Sequence, residues 1–244
     1  MPEITLNDGR RVSYRIRESR RSRRVRLTLN PRDGLVLVTP PRQDAKWLAQ
    51  LVNDWREWIA DRLDDMAIEL NANGDTIKAI PQCVDLPALQ ERWQVLQRFQ
   101  PGTRVSVRVS APGSLILVRG QNNTVEACKA LQRWLARRAR DTLPDWLQRV
   151  STEIKLPCGA VSVRSQRSRW GSCSAHGDIS LNQQLLFLPP EWVRHILIHE
   201  LCHTLELNHS DRFWAHVERF DPDYRTTRVL VRSAWPRVPV WAQI

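Results

Sequence analysis

The stretch H-E-L-C-H-T-L-E-L-N-H, residues 199–209, joins an H-E-x-x-H motif to a third histidine. On an α-helix, a step of four residues turns by about 40° and rises by about 6 Å. His199 and His203 would therefore project from one face of such a helix and could bind the same ion. Because H-E-x-x-H is typical of zinc-dependent hydrolases, the stretch predicts a helix that carries a metal site.

Glu200 follows the first histidine directly, on the same rim of the predicted helix. A carboxylate at this position can hold a metal-bound water and accept its proton, while the ion lowers the pKa of the water from about 15.7 toward about 7. We therefore predict that Glu200 is the catalytic base of a hydrolase and that a metal-bound water is the nucleophile.

A third ligand requires the chain to leave the helix and turn back. Asn208 is a residue type that tolerates the left-handed conformation found at helix ends, and His209 follows it directly. Three protein ligands plus water form the open coordination of a catalytic zinc site. His209 is the preferred third ligand because one helix and its turn then supply all three side chains with little ordering of the chain. Five other residues are alternatives for this position: His176, His195, Cys202, His216 and Glu218.

The composition is that of a soluble protein with room for one or two domains. The chain has 244 residues, lacks an apolar stretch of about 18 residues, and does not begin with a charged segment followed by an apolar run. Its five cysteines are an odd number without a C-x-x-C pair, as expected of free thiols in a reducing compartment. These features predict a cytoplasmic location and no membrane partner.

The net charge of +11 rests on arginine, because only four residues are lysine. Arginine makes forked contacts to phosphate and carboxylate groups. The densest cluster, residues 17–26, leads into a predicted strand and predicts a weak association with nucleic acid through the basic surface. Two alternatives stay open: a G+C-rich genome raises the arginine content without functional meaning, and a solvated strand face carries similar charges.

Two segments about 80 residues apart share a plan of a β-hairpin followed by a helix. The first copy has strands at 25–29 and 35–38 and a helical pattern over 47–63. The second copy has strands at 105–109 and 115–118 before its helix. We interpret the two copies as a weak internal repeat.

The C-terminal part of the chain places a strand next to the metal-bearing helix. Strands are predicted at 161–164 and 179–182, with a polar loop over 165–176 between them. Pro190 lies near the first turn of the helix, where its missing N–H does no harm. An edge strand beside this helix would hold an extended polypeptide across the ion.

Several short motifs accompany the H-E-x-x-H stretch: R-W-G-S-C-S at 169–174, I-S-L-N at 179–182, P-P at 189–190, N-H-S at 208–210, F-W at 213–214 and P-D-Y at 222–224. Together they resemble the YgjP-like (DUF45) metal-dependent hydrolases, which are related to the WLM and SprT-type proteases. The resemblance implies an α+β, zincin-like catalytic domain, one zinc ion with His199, His203 and His209 as ligands, and Glu200 as the base.

Metzincins have the same spacing between the first and third histidines, but the rest of their pattern is missing. They have a glycine where this chain has Glu206, and a methionine turn after the motif, whereas the methionines here are Met1 and Met66. The chain is therefore not expected to be a metzincin.

The domain boundary is predicted near residue 100. Residues 1–100 would form an N-terminal β-hairpin and helix module with a basic strand, and residues 101–244 a zincin-like metal-dependent hydrolase domain. The segment N-A-N-G-D at 71–75 is the predicted linker within the first part.

Substrate binding is predicted for four residues that precede the motif in the sequence. Arg164, Arg167 and Arg169 lie on the segment expected to flank the site, where three cations would suit a phosphate-bearing substrate. Trp170 either stacks on a base or fills the core, and the core is favoured because tryptophan is mostly buried. The arginines could instead pair with carboxylates: Asp178, Glu206 and Asp211.

We predict a zinc-dependent hydrolase that acts on peptide bonds of a polypeptide, a metallopeptidase. The alternative is a nucleoside triphosphate pyrophosphohydrolase that uses the same metal site, an activity that the family resemblance also implies. A third hypothesis is a nucleic-acid-binding module with a structural metal, which would have little need for Glu200. Imidazole ligands also suit other divalent transition metals.

Overall fold

The computed structural model describes residues 1–30, 33–65, 79–111, 115–120 and 122–243. Within these residues the chain forms two compact units, Met1–Ala79 and Ile80–Ala242. The predicted linker at 71–75 lies outside the described residues. Helices and strands are mixed in both units, so the predicted α+β class is confirmed.

The first unit is built on two small β-sheets. Its strands are β1 (Glu3–Thr5), β2 (Arg11–Ser13), β3 (Arg15–Glu18), β4 (Arg26–Asn30) and β5 (Gly34–Thr39). β1 and β2 form an antiparallel hairpin. In the second sheet the fully buried β5 lies between β3, to which it is parallel, and β4, to which it is antiparallel. The predicted first hairpin is β4–β5, and it is confirmed.

Two helices follow, α1 (Ala45–Asp54) and α2 (Arg56–Asp65), where the sequence predicts one. The Asp44 side chain caps α1 by accepting a hydrogen bond from the backbone N–H of Trp47. The helix is interrupted at Trp55, where φ is −97° and ψ is 11°. The apolar spacing of the sequence continues across this interruption and therefore does not reveal it.

The second unit begins with a four-stranded sheet in the order β6-β7-β9-β8. The strands are β6 (Cys83–Leu86), β7 (Glu91–Phe99), β8 (Ser106–Ala111) and β9 (Leu115–Gly120). The boundary predicted after residue 100 falls between β7 and β8, inside this sheet, whereas the compact units divide after Ala79. The physical reason is that β7 pairs in parallel with β9, a contact between distant parts of the chain.

The internal repeat is present in the strand topology. In each unit a strand pairs in parallel with the second strand of a later hairpin, as β3 does with β5 and β7 with β9. Arg15 pairs with Val36 and Gln94 with Leu115, so both partners are shifted by 79 positions. The N-cap residues of the two following helices, Asp44 and Asn123, are separated by the same 79 positions.

The helix of the second copy is α3 (Thr124–Ile154), which has 31 residues and continues through Pro144. Its buried face includes Leu131, Leu135 and Leu143, which belong to the core of the second unit. The long helix gives the C-terminal elements a continuous apolar surface to pack on.

The C-terminal elements form a small sheet and three helices. The sheet has the order β10-β12-β11, with β10 (Val161–Arg164), β11 (Gly171–Cys173) and β12 (Ile179–Asn182). The two predicted strands, β10 and β12, pair in parallel. The segment predicted as a polar loop contains β11, which pairs antiparallel with β12 and forms an edge of the sheet. The helices are α4 (Pro190–Cys202), α5 (Asp211–Phe220) and α6 (Tyr224–Arg232).

In the part of the chain that the structure describes, no helix has the length and apolar character needed to cross a membrane. All five cysteines are free thiols, as the sequence predicts.

Candidate metal centre and active site

Helix α4 carries the H-E-x-x-H motif, and one of its sides packs in the core while the other carries the motif histidines. Pro190 is its first residue, where a missing N–H costs nothing. The core side carries Val193, Leu197 and Leu201, which are fully buried. This packing fixes the rotation of the helix about its axis. The motif histidines are consequently held on the opposite, open side.

The chain turns back immediately after α4, but not by the predicted conformation. Asn208 does not have the positive φ of a left-handed residue. Its side-chain carbonyl instead accepts a hydrogen bond of 3.0 Å from the backbone N–H of Ser210. Ser210 then caps α5 by accepting a hydrogen bond from the N–H of Phe213. These two local hydrogen bonds define the turn that carries His209.

Three imidazole rings meet at this turn. The ring centroids of His199, His203 and His209 lie 4.8–5.0 Å apart. One ligand atom from each ring lies within 4.8 Å of the other two. The Nε2 atoms of His199 and His209 are 3.1 Å apart.

The separation of these nitrogens fits a single zinc ion. Two nitrogens bound to one zinc at about 2.0–2.1 Å in tetrahedral geometry lie about 3.3 Å apart, close to the observed distance. The donor set also fits, because three neutral imidazoles are the ligands of several catalytic zinc sites. Among the described residues, these three histidines form the cluster that could hold a metal ion.

A hydrogen bond outside the triad sets the orientation of one ring. The Nδ1–H of His203 donates to the backbone carbonyl of Glu206 over 3.0 Å, which leaves its Nε2 lone pair free for an ion. The Phe213 ring stacks on the same imidazole at a centroid distance of 4.4 Å. The ring of His203 is therefore fixed in tautomer and in position.

Burial keeps His199 neutral. Desolvation, with smaller contributions from the charges of neighbouring histidines, lowers the pKa of His199 to about 3. Desolvation also lowers the pKa of His203 and of His209. At neutral pH the triad therefore presents unprotonated nitrogens, the form that binds a metal.

Glu200 is buried beside the triad, with 6% of its surface exposed. Burial raises the pKa of its carboxyl to about 8, although the positive charge of Arg169 acts in the opposite direction. Within the described residues, no group donates a hydrogen bond to this carboxyl. A carboxyl whose pKa lies near neutrality is well matched to receive and return a proton.

Strand β11 holds the Glu200 side chain from the other side. A Cβ atom added at Gly171 would lie 2.7 Å from Oε1 of Glu200 and 2.9 Å from its Cδ. The glycine therefore permits a close approach of strand and carboxyl. The loop before β11 is fixed by the buried Asn182, whose Nδ2 donates to the carbonyls of Gln166 and Arg169 over 3.0 and 2.8 Å.

Replacing Gly171 with alanine is expected to lower kcat by about 10- to 100-fold without unfolding the protein. The new methyl group must displace the Glu200 carboxyl, and a displacement of about 1 Å at a catalytic group can cost 10²-fold in rate. Steady-state kinetics on the metal-loaded protein would measure the effect. The control is Ser172→Ala, whose side chain projects to the other face of β11. A wild-type kcat in Gly171→Ala would show that the carboxyl position is not critical.

A cavity of about 450 Å³ opens beside the triad and Glu200. Its lining includes His199, Glu200 and His209, and also Trp170 and Arg228. The cavity therefore offers room for a substrate segment directly at the histidines.

His195 also lines the cavity, one helical turn before His199. It is buried, and its Nδ1–H donates to Oδ2 of Asp221 over 2.6 Å. From its position one turn before His199, the sequence offers His195 as an alternative ligand, as a group that supports the ligands, or as a partly exposed helix residue, and it gives no partner for the ring. In the structure it lies outside the triad, and a carboxylate fixes its ring.

The remaining alternatives for the third ligand also lie outside the triad. Cys202 is fully buried in the core. Glu218 is exposed and pairs with Arg225 at 3.4 Å. His176 lines a second pocket together with His203, and His216 lies on α5.

The three predicted substrate arginines do not line the cavity. Arg164, Arg167 and Arg169 are exposed, and no ion pair among the described residues joins them to a carboxylate. Two arginines of α6, Arg228 and Arg232, line the cavity instead. They lie about 60 residues further along the chain, and their spacing of four residues on one helix was the only signal in the sequence.

Trp170 fills the core, the role that the sequence favours, and also reaches the cavity. The residue is 9% exposed. Its ring stacks on Trp235 at a centroid distance of 4.2 Å, and its Nε1–H donates to the carbonyl of Val231 over 3.3 Å. Trp170 is also one of the residues that line the cavity. It is a core residue that forms part of the wall.

Comparison with known proteins places this chain in a family. The chain is 25% identical to the metallopeptidase zymogen abylysin of Pyrococcus abyssi, whose crystal structure aligns with 38% of this chain and 95% of its own with a TM-score of 0.35. No curated protein matches the sequence. The family model described as the YgjP-like metallopeptidase domain matches residues 23–233, and the chain belongs to this family of metal-dependent hydrolases.

Proposed function

We propose that the protein is a zinc-dependent peptidase in which His199, His203 and His209 hold the ion and Glu200 is the catalytic base. The observation that carries this proposal is the cluster of three imidazoles, two of which line one cavity together with the buried carboxyl of Glu200. Membership in a metallopeptidase family supports the peptide bond as the substrate.

Glu200 moves the proton in the proposed reaction. A zinc ion held by the triad would polarise the scissile carbonyl and acidify water. The Glu200 carboxylate takes a proton from the attacking water as the oxygen forms a bond to the carbonyl carbon. The same carboxyl then gives this proton to the amide nitrogen as the C–N bond breaks. The products are a carboxylic acid and an amine.

Strand β11 would position the polypeptide. It is an edge strand, and Gly171 at its start lines the cavity beside Glu200. An extended substrate could pair with such an edge through backbone hydrogen bonds, which bind a chain without demanding particular side chains. The free cysteines support a reducing, cytoplasmic location for the enzyme.

Substrate tests separate the peptidase from the other two hypotheses. Purified protein with measured zinc content would be incubated with an unfolded protein and, separately, with nucleoside triphosphates. The proposal expects new peptide termini and no pyrophosphate release. Pyrophosphate release without peptide cleavage would favour the pyrophosphohydrolase. Metal binding and salt-sensitive nucleic-acid binding without any hydrolysis would favour the structural-metal hypothesis.

A further inference from the structure

Helix α6 places two positive charges on the cavity wall. Arg228 and Arg232 are four residues apart on one face of the helix, and both line the cavity. The guanidinium carbon of Arg228 lies 3.9 Å from the ring centroid of Trp214. The Trp214 ring in turn stacks on His209 at a centroid distance of 5.6 Å. Arg228 is therefore held close to the triad by a chain of ring contacts.

No carboxylate of the described residues neutralises the charge of Arg228. Among the residues that the structure describes, no ion pair joins Arg228 or Arg232 to a carboxylate, whereas Arg225 on the same helix pairs with Glu218. Burial and the charge of Arg232 lower the pKa of Arg228. A divalent metal ion at the triad would add to this positive potential.

The contact of Arg228 with Trp214 leaves the N–H groups of the guanidinium available to bind a ligand. The distance of 3.9 Å is that of a guanidinium lying flat on a ring, and in that arrangement its N–H groups remain available in the plane. This fork matches the two oxygens of a carboxylate. The apolar part of the same cavity is formed by Ile196 and Val231, which would accommodate an aliphatic stem.

We propose that Arg228, assisted by Arg232, binds a carboxylate of the peptide substrate close to the scissile bond. The enzyme would then prefer an acidic side chain at one fixed position, or the free C-terminal carboxylate. This inference rests on the proposed peptidase function and adds the chemical class of the substrate residue.

The test uses internally quenched peptides of equal length. Each position carries Glu, Gln or Lys in turn, and each peptide has a free or an amidated C-terminus. Mass spectrometry locates the cleaved bond. We expect wild-type kcat/KM to be about 10- to 100-fold higher for a peptide with Glu at one fixed distance from that bond than for its Gln counterpart, as a charge-assisted hydrogen bond provides. If the C-terminal carboxylate is the group that binds Arg228, amidation of the C-terminus should lower kcat/KM by this factor instead.

Variants assign this preference to the arginine. Arg228→Gln should abolish the ratio between acidic and neutral peptides, and Arg228→Lys should retain part of it, because lysine keeps the charge without the fork. Both peptides are measured on the same variant, so a general loss of activity cancels in the ratio. The matched control is Arg225→Gln, which removes an equal charge from α6 outside the cavity and should leave the ratio unchanged.

Binding provides a readout that is independent of turnover. With Glu200→Gln as the background, the dissociation constant for acidic peptides should rise about 10- to 100-fold when Arg228→Gln is added, and that for neutral peptides should not change. Peptide cleavage without any acidic preference, or with one that survives Arg228→Gln, would overturn the carboxylate site and leave the peptidase intact. Failure to cleave any peptide, together with hydrolysis of nucleoside triphosphates, would overturn the peptidase and the carboxylate site together.

Discussion

Replacing Glu200 with glutamine is expected to reduce kcat for peptide hydrolysis by about 10²- to 10⁴-fold, the range of general acid–base catalysis. Glutamine has nearly the same shape but cannot accept a proton from water. The three histidines are unchanged, so the zinc content should stay at the wild-type value. Steady-state kinetics and elemental analysis of the same preparation would measure both quantities.

The same variant should change the protons released when metal binds. Burial raises the pKa of Glu200 to about 8, so at pH 7 the carboxyl is largely protonated in the metal-free protein. A cation nearby favours the charged form and expels this proton. Calorimetric titration with zinc at pH 7 in two buffers of different ionisation enthalpy should show a larger proton release in the wild type than in Glu200→Gln, in which the metal-bound water is the remaining source of protons.

Glu191→Gln is the matched control, because it makes the same substitution at an exposed position in the first turn of the same helix. It should behave as the wild type in both measurements. A Glu200→Gln protein with undiminished kcat would assign the base to another residue.

Replacing His199 with alanine should abolish stable zinc binding, and with it the activity. Removal of a residue that only supports a metal ligand costs about 10- to 100-fold in affinity. Loss of one of three ligands should therefore exceed about 100-fold. Competition with a chromophoric chelator would measure the affinity, and circular dichroism would verify the fold.

The control for this variant is His216→Ala, which removes a histidine of α5 that lies outside the triad. Its zinc affinity should equal that of the wild type. Retention of zinc by His199→Ala would contradict the three-histidine site and would direct attention to His195, which lies one turn earlier on the same helix.

The triad could be predicted because all three histidines lie within eleven residues. Helical geometry brings the first two together, and a short turn is enough for the third. The turn itself was predicted incorrectly at Asn208, since its side chain caps the chain through a hydrogen bond rather than through a left-handed backbone. Local sequence does not distinguish these two uses of asparagine.

The parts that could not be predicted depend on contacts between distant residues. Strand β11 has three residues, Gly171–Cys173, without an alternating pattern, and exists through its pairing with β12. Arg228 reaches the cavity because α6 follows α5, and because its side chain stacks on Trp214. Arg169, much nearer to the motif in sequence, is exposed outside the cavity. Closeness to the motif in the sequence therefore does not predict which residues line the cavity.

The close contact between Gly171 and Glu200 limits how the enzyme can evolve. Any side chain at position 171 would collide with the carboxyl, so this point of the strand is closed to mutation as a source of new specificity. Helix α6 has no such conflict, because among the described residues neither Arg228 nor Arg232 forms a hydrogen bond or an ion pair with this carboxyl. Divergence among descendants of this protein should accumulate on that helix, while the strand beside the carboxyl stays constant.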